Sequence, residues 1–380
     1  MKIQKIYFKG LNALRFIAAG LVVLMHSKSN LTRFDLPTFP EIGLFSKGIT
    51  AVSFFFVLSG FLITYLLFEE HRKNSRVSIK AFYLRRVFRI WPLYFFIIGI
   101  GILFYWYFVP VLGLDFQTDY NKSLAVFLYL FFGANLMSSL FHVGGILHVT
   151  WSIAVEEQFY LIWAPIFSKF KKNVKTILWS TLLVSATVAI MNKFNFFNLT
   201  QGWQTFIDTM QFHYMCIGGL LAHALFHHKE KLLSYACFSS KKIQLLLGVL
   251  LITYIVLYQK TNWAEPILVI PQGLLFGWLI INISSNPKSI FHVDGKILNY
   301  LGKVSYGIYM YHMIVIYTLT FLASKYIAPE GFTIVFLLFY LVAVFACTIG
   351  VSALSYMLFE KRLIIKGSSS SKRITEEQIK

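Results

Sequence analysis

The stretch Gly48-Ile-Thr-Ala-Val-Ser-Phe-Phe-Phe-Val-Leu-Ser-Gly-Phe-Leu-Ile-Thr-Tyr-Leu-Leu-Phe68 runs for 21 residues without a charge. The connection that follows, Glu69 to Arg89, carries Arg72, Lys73, Arg76, Lys80, Arg85, Arg86 and Arg89. About 20 apolar residues are what an α-helix needs to cross the hydrocarbon core of a bilayer. Seven basic residues in one short connection mark its side as cytoplasmic. This pairing of an uncharged run with a basic flank decides the fold class.

The rest of the 380-residue chain agrees: 57% of it is hydrophobic, 18% aromatic and only 13% charged. A soluble domain carries about a quarter charged residues, so soluble globular folds are excluded. The 35 Lys and Arg against 16 Asp and Glu leave a net charge of +19. On a membrane protein that excess belongs to cytoplasmic loops, and no nucleic-acid partner is expected. Cys216, Cys237 and Cys347 show no C-x-x-C spacing, which argues against a disulfide framework or a thiolate metal site. Met1 to Lys9 is a basic flank, and the segment after it lacks an A-x-A-type site and holds Arg15. It is read as a first transmembrane helix rather than a cleaved signal peptide.

Hydropathy marks eleven segments: 11–27, 48–68, 90–109, 123–141, 149–168, 176–191, 207–226, 243–259, 266–283, 300–323 and 332–358. With the 69–89 connection inside, the N-terminus with Lys2, Lys5 and Lys9 is inside too. Eleven spans would put Lys361, Arg362, Lys366, Lys372, Arg373 and Lys380 outside. Treating 123–141 as a re-entrant or interfacial helix removes the conflict. It places 27 of the 35 basic residues inside. The expectation is an all-α polytopic integral membrane protein with ten transmembrane helices, one re-entrant or interfacial helix and both termini cytoplasmic. Residues 1–366 form one membrane domain, and the Ser-rich, charged stretch 367–380 is expected to be a disordered cytoplasmic tail. No internal repeat supports an inverted-repeat transporter.

Ionisable residues within spans are costly and mark function. Arg15 and His26 are 11 residues apart, three turns plus about 20°, so they share a helix face about 16 Å apart. Snorkelling of Arg15 and an interfacial place for His26 is the structural alternative. In the fifth segment His148, Ser152 and Glu156 follow an i, i+4, i+8 stripe, with Glu157 and Tyr160 beside it. Pairing of a carboxylate with Arg15 would be a purely structural use. One histidine with carboxylates is too sparse a ligand set for a metal, and none is expected. Ser305, Tyr309 and His312 share a face of the tenth span. Arg85, Arg86 and Arg89 sit at the inner mouth of the third, at spacings that suit phosphate or plain anchoring.

Together these pieces resemble the acyltransferase-3 family of integral membrane O-acyltransferases, from about residue 10 to 362. The likeness rests on Leu11-Asn-Ala-Leu-Arg-Phe-Ile-Ala-Ala with His26, on Ser53-Phe-Phe-Phe-Val-Leu-Ser-Gly-Phe-Leu-Ile, and on Arg86-x-x-Arg89 before Ile-Trp-Pro. It continues through His148-x-x-Trp-Ser-x-x-Val-Glu-Glu-Gln-Phe-Tyr-Leu-Ile-Trp and Leu301-Gly-Lys-Val-Ser-Tyr-Gly-Ile-Tyr-Met-Tyr-His. Departures are Asn12 where the family often has Asp, Gln211-Phe-His-Tyr where it often has Arg and Asp, and Glu360-Lys-Arg without a nearby Pro. The extracytoplasmic esterase-like domain fused to some relatives is expected to be absent.

The resemblance implies transfer of an acyl group, usually acetyl from acetyl-CoA, to a hydroxyl of a surface glycan or lipid-linked sugar at the bacterial inner (plasma) membrane. His26 suits the proton-accepting base at neutral pH, with Glu156 orienting or electrostatically supporting it, or serving as a second proton acceptor, and Arg15 steadying the donor or the oxyanion. Arg86 and Arg89 would bind acyl-CoA, a substrate rather than a resident cofactor. His148, Ser152, Glu157, Ser305 and Tyr309 would support the site. A polytopic transporter or flippase for a glycan-related substrate is the alternative.

Overall fold

The computed structural model describes residues 8–111, 119–257, 265–327 and 333–379. Lys2, Lys5 and Lys380, used above for orientation, lie outside the described residues. All regular structure among the described residues is helical. The long elements are α1 (Leu11–Arg33), α2 (Gly48–Asn74) and α3 (Ile79–Leu103). Two short helices, α4 (Lys122–Leu130) and α5 (Ala134–Leu140), precede α6 (Trp151–Lys169) and α7 (Val174–Lys193). Next come α8 (Gln201–Thr209), α9 (Phe212–His227), α10 (Lys241–Val256) and α11 (Glu265–Ser285). The chain closes with α12 (Lys296–Lys303), α13 (Ser305–Tyr326), α14 (Thr333–Ser355) and α15 (Lys361–Ile379).

Seven of the described helical runs are long and apolar enough to cross a membrane. The chain is a polytopic all-α membrane protein. Helix α6 carries two carboxylates within its span, and α9 and α10 have 16 residues each. At 1.5 Å per residue, 16 residues reach about 24 Å, short of the roughly 30 Å core.

Helix α2 is buried on nearly every side, against α1, α6, α9 and α11. That is why its sequence is apolar all round rather than on one stripe. Its closest partner is α9, and glycine makes the approach possible. A Cβ on Gly60 would lie 1.9 Å from the Met215 carbonyl oxygen, and one on Gly218 would lie 2.0 Å from that of Val57. Reciprocal small residues bring the two backbones into contact, the packing that lipid surroundings favour.

Segment 123–141 breaks in two. The Asn121 side chain caps α4 by accepting from the Leu124 amide at 3.1 Å. Phe132 then turns the chain at a left-handed φ of 56° before α5 begins. At nine and seven residues, neither half is long enough to cross a bilayer.

The tail differs from expectation. After a π-helical turn at Tyr356–Glu360, α15 continues as a helix along α3 instead of a disordered Gly367–Lys380 segment. Gly367 lies against the Phe88 ring, Lys366 Nζ sits 6.0 Å from that ring's centre, and Arg85 donates to Ser371 Oγ at 2.6 Å. Composition misled because Gly367 and Ser371 pack on a partner that local sequence does not reveal. Two apolar cores result: one around α2, α3, α6 and α9, the other between α1, α13 and α14. Helices α1 and α13 contribute to both.

Candidate active site

Two cavities lie side by side between α1, α2, α6 and α13. The smaller, about 110 Å³, is lined by Arg15 of α1, Ser59 of α2, Arg86 and Arg89 of α3, and Glu156 and Tyr160 of α6. The larger, about 370 Å³, is lined by His26 of α1, Ser53 of α2, His148 and Trp151, and by Lys193, Asp208, Gln211 and His213 from α7 to α9. Val52 and Tyr309 line both and form the shared wall. The common face of Arg15 and His26 is thus one stripe of α1 that serves two chambers.

In the smaller cavity three guanidinium groups converge on one carboxylate. None of Arg15, Arg86 and Arg89 forms an ion pair within 4.0 Å among the described residues. Arg15 Nη1 donates to Asn12 Oδ1 at 3.4 Å, one turn back on its own helix. The Arg86 guanidinium lies over the Tyr160 ring at 5.4 Å and the Phe82 ring at 5.7 Å, with its Nε unpartnered. Free planar forks of this kind are built to take a phosphate or carboxylate. Arg85 diverges from the pair: it donates to Glu70 Oε2 at 2.7 Å and to Ser371, so its work is structural.

The adjacent carboxylates part company because neighbours on a helix point about 100° apart. Glu156 faces the arginines and accepts a hydrogen bond from Ser59 Oγ. Glu157 is buried against α3, accepting from Trp91 Nε1 at 2.8 Å, with its other oxygen unpartnered. Glu156 makes no hydrogen bond to His26 among the described residues; the two line neighbouring cavities.

The wall is hydrogen-bonded. Ser152 Oγ and Tyr309 OH lie 2.7 Å apart, and Tyr309 OH also donates to the Val149 carbonyl at 3.1 Å. Ser305 Oγ donates to the Gly302 carbonyl at 2.9 Å, closing the turn that starts α13. His148 ends the short helix Gly145–His148 and opens onto the larger cavity. The residue that lets the chain enter this turn is Gly144, at φ 72°, where a Cβ would meet the Tyr105 ring at 2.3 Å.

Three features escaped the sequence reading of the site. The His312 ring lies 5.2 Å from the His26 ring, although only its helix face was legible. Lys47 is a buried lysine lining the larger cavity, with Nζ 4.8 Å from the Tyr254 ring centre. Glu360, buried in the π-helical turn, accepts from Ser355 Oγ at 2.8 Å. The interrupted helix there is a weak signal of a functional turn. No group of three or more metal-ligating side chains is present among the described residues.

Sequence comparison gives these chambers a setting. The chain is 29% identical over 289 residues to the peptidoglycan O-acetyltransferase OatA of Listeria monocytogenes serovar 1/2a, covering 72% of this chain and 45% of that protein. It is 26% identical over 348 residues to the O-acetyltransferase OatA of Staphylococcus aureus, covering 85% and 52%. The chain therefore spans about half the length of the curated relatives it matches. No solved structure matches it. The acyltransferase-3 model, described as an acyltransferase domain, covers residues 8–356, including every residue lining the two cavities. The chain belongs to the acyltransferase-3 family.

Proposed function

We propose that this protein is a membrane O-acyltransferase that moves an acyl group, acetyl in the first instance, from acyl-CoA to a glycan hydroxyl. The observation that carries the reading is the pair of cavities meeting at Val52 and Tyr309, one cationic and one histidine-lined. The anionic donor belongs with Arg15, Arg86 and Arg89, and the neutral, hydroxyl-rich acceptor with His26. The smaller cavity cannot hold a whole acyl-CoA, so it takes one anionic or thioester portion, with the remainder beyond its mouth at the exposed Arg89.

In the reaction, His26 takes the proton of the acceptor hydroxyl while its oxygen bonds to the thioester carbonyl carbon. The C–S bond breaks, and the proton passes from His26 to the departing thiolate, leaving CoA as its thiol. Arg15 stabilises negative charge on the donor side of the wall. The acceptor is a surface glycan or lipid-linked sugar, and the peptidoglycan named for the Listeria relative is a first candidate.

The membrane arrangement that fits this chemistry has ten spans, with α4 and α5 lying re-entrant or at the interface and both termini cytoplasmic. The protein would sit in the bacterial plasma membrane with the arginines facing the cytosolic donor and His26 the outer half. Donor and acceptor would then approach from opposite sides. The test uses purified protein in proteoliposomes, with release of CoA thiol from acetyl-CoA followed in the presence of glycan acceptor. His26→Ala is expected to abolish release at equal incorporation. Unchanged release in that variant would overturn the catalytic assignment.

A further inference from the structure

We infer that His312 is the positioning residue for His26, holding its ring so that one nitrogen faces the acceptor chamber unprotonated. This rests on the proposed role of His26 as the base.

The inference starts from a buried atom without a partner. His312 is fully buried on α13. Its Nδ1 lies 2.5 Å from the Tyr309 carbonyl oxygen. A carbonyl only accepts, so Nδ1 carries the proton, and Nε2 of the neutral ring is left as an acceptor. That Nε2 has no hydrogen-bond partner among the described residues. A buried acceptor is seldom left so, and each such atom asks for an explanation.

The neighbouring ring is His26. The two centroids lie 5.2 Å apart with their planes inclined by 39°. Each nitrogen stands about one ring radius out from its centroid, so at this separation a nitrogen of His26 and His312 Nε2 would meet at hydrogen-bond distance if both turned onto the line between the rings. Bonds of this kind commonly tighten only when substrate arrives. His26 is half-buried and lines the larger cavity, so one edge of its ring faces the acceptor while the other can face His312.

The pairing resolves the tautomer. When an N–H of His26 donates to His312 Nε2, the proton is fixed on that nitrogen, and the other nitrogen of His26 is free to take the acceptor's hydroxyl proton. The orienting partner that a catalytic histidine commonly draws from a carboxylate is here an imidazole. Its own tautomer is set by the Tyr309 carbonyl. Tyr309 also lines both chambers, so one residue shapes the wall through its ring and fixes the relay through its backbone. Glu156, which accepts from Ser59 Oγ and lines the arginine chamber, has no part in it.

The test compares full-length wild type, His312→Asn, His312→Gln and His26→Ala in membrane vesicles carrying the host's own glycans, with radiolabelled acetyl-CoA. Asn places its amide near Nδ1 and keeps a donor for the Tyr309 carbonyl, but supplies nothing at Nε2. Gln reaches the Nε2 position. His312→Asn is expected to lower the rate at saturating acetyl-CoA by about 10²-fold, with the donor KM unchanged and normal thermal stability. His312→Gln should recover at least part of that loss. Full activity in His312→Asn overturns the inference, and activity in His26→Ala overturns the reading beneath it. A second measurement does not depend on turnover. Histidine-labelled ¹⁵N spectra in lipid should show His312 protonated on Nδ1 with an Nε2 signal that moves in His26→Ala. An unmoved Nε2 signal overturns the pairing.

Discussion

The two chambers differ in how each is built, although they share α1, α2, α6 and α13. The arginine chamber is small and electrostatically unbalanced, with three guanidiniums against Glu156. The histidine chamber is three times larger, and its charges are paired or packed: Lys193 is bonded to Asp208, and Ser53 Oγ donates to Gln211 Oε1 at 2.8 Å. An unbalanced cluster of cations inside a membrane protein is expensive to maintain without a ligand. A balanced polar lining instead suits a neutral, hydroxyl-rich guest. On the proposed reading, charge recognition falls to one side of Tyr309 and shape recognition to the other.

The most severe way to break that division is His26→Ala. Loss of a general base removes 10² to 10⁴-fold of rate, and acetyl transfer should fall by that factor while acetyl-CoA still binds. Loss of donor binding in the same variant would mean that the chambers are not separate in function. Next comes the double change of Arg86→Ala and Arg89→Ala. A hydrogen bond to a charged group contributes about 1.5–3 kcal/mol, so the KM for acetyl-CoA should rise about 10- to 100-fold with little change in acceptor preference. A shift in acceptor preference instead would count against the assignment.

Tyr309→Phe tests the wall itself. It removes the hydroxyl shared by Ser152 and the Val149 carbonyl, leaving buried polar groups unpaired at a cost of about 1–3 kcal/mol. A lower unfolding temperature and a larger rate loss than in Ser152→Ala are expected. Equal behaviour of the two variants would reduce Tyr309 to a spacer. The smallest effect belongs to Glu157→Gln, which keeps an acceptor for Trp91 and lies outside both chambers. Transfer should stay within about threefold of wild type, because the exchange preserves side-chain shape and alters the lining of neither chamber. A loss as large as that of His26→Ala would bring Glu157 back into the chemistry.

Much of this was legible in the chain, for identifiable reasons. Uncharged runs near 20 residues announced the long helices, and the 3.6-residue period placed Arg15 with His26 and Ser305 with Tyr309 and His312. Periodicity carries no information about which helix a face meets, so the approach of His312 to His26 was invisible, as was the allocation of Glu156 to Ser59. The same blindness explains Arg85. Its spacing from Arg89 looked like that of a phosphate ligand, yet Glu70 and Ser371 hold it. The break at Phe132 escaped because a left-handed phenylalanine has no composition signal. The helical tail escaped because its stabilising partner, α3, lies almost 300 residues earlier in the chain.

The backbone contact at Gly60 and Gly218 has a mechanical consequence. With carbonyl oxygens where side chains would otherwise cushion the interface, α2 and α9 have little room to slide and act as a single strut. That strut carries Ser59 on the arginine chamber and Ser53, His213 and Tyr214 on the histidine chamber. Helices α1 and α13 supply the opposing surfaces of both, through Arg15, His26, Ser305 and Tyr309. The two chambers therefore have the same two helix pairs as their walls, and a side chain placed at Gly60 or Gly218 would disturb both linings at once.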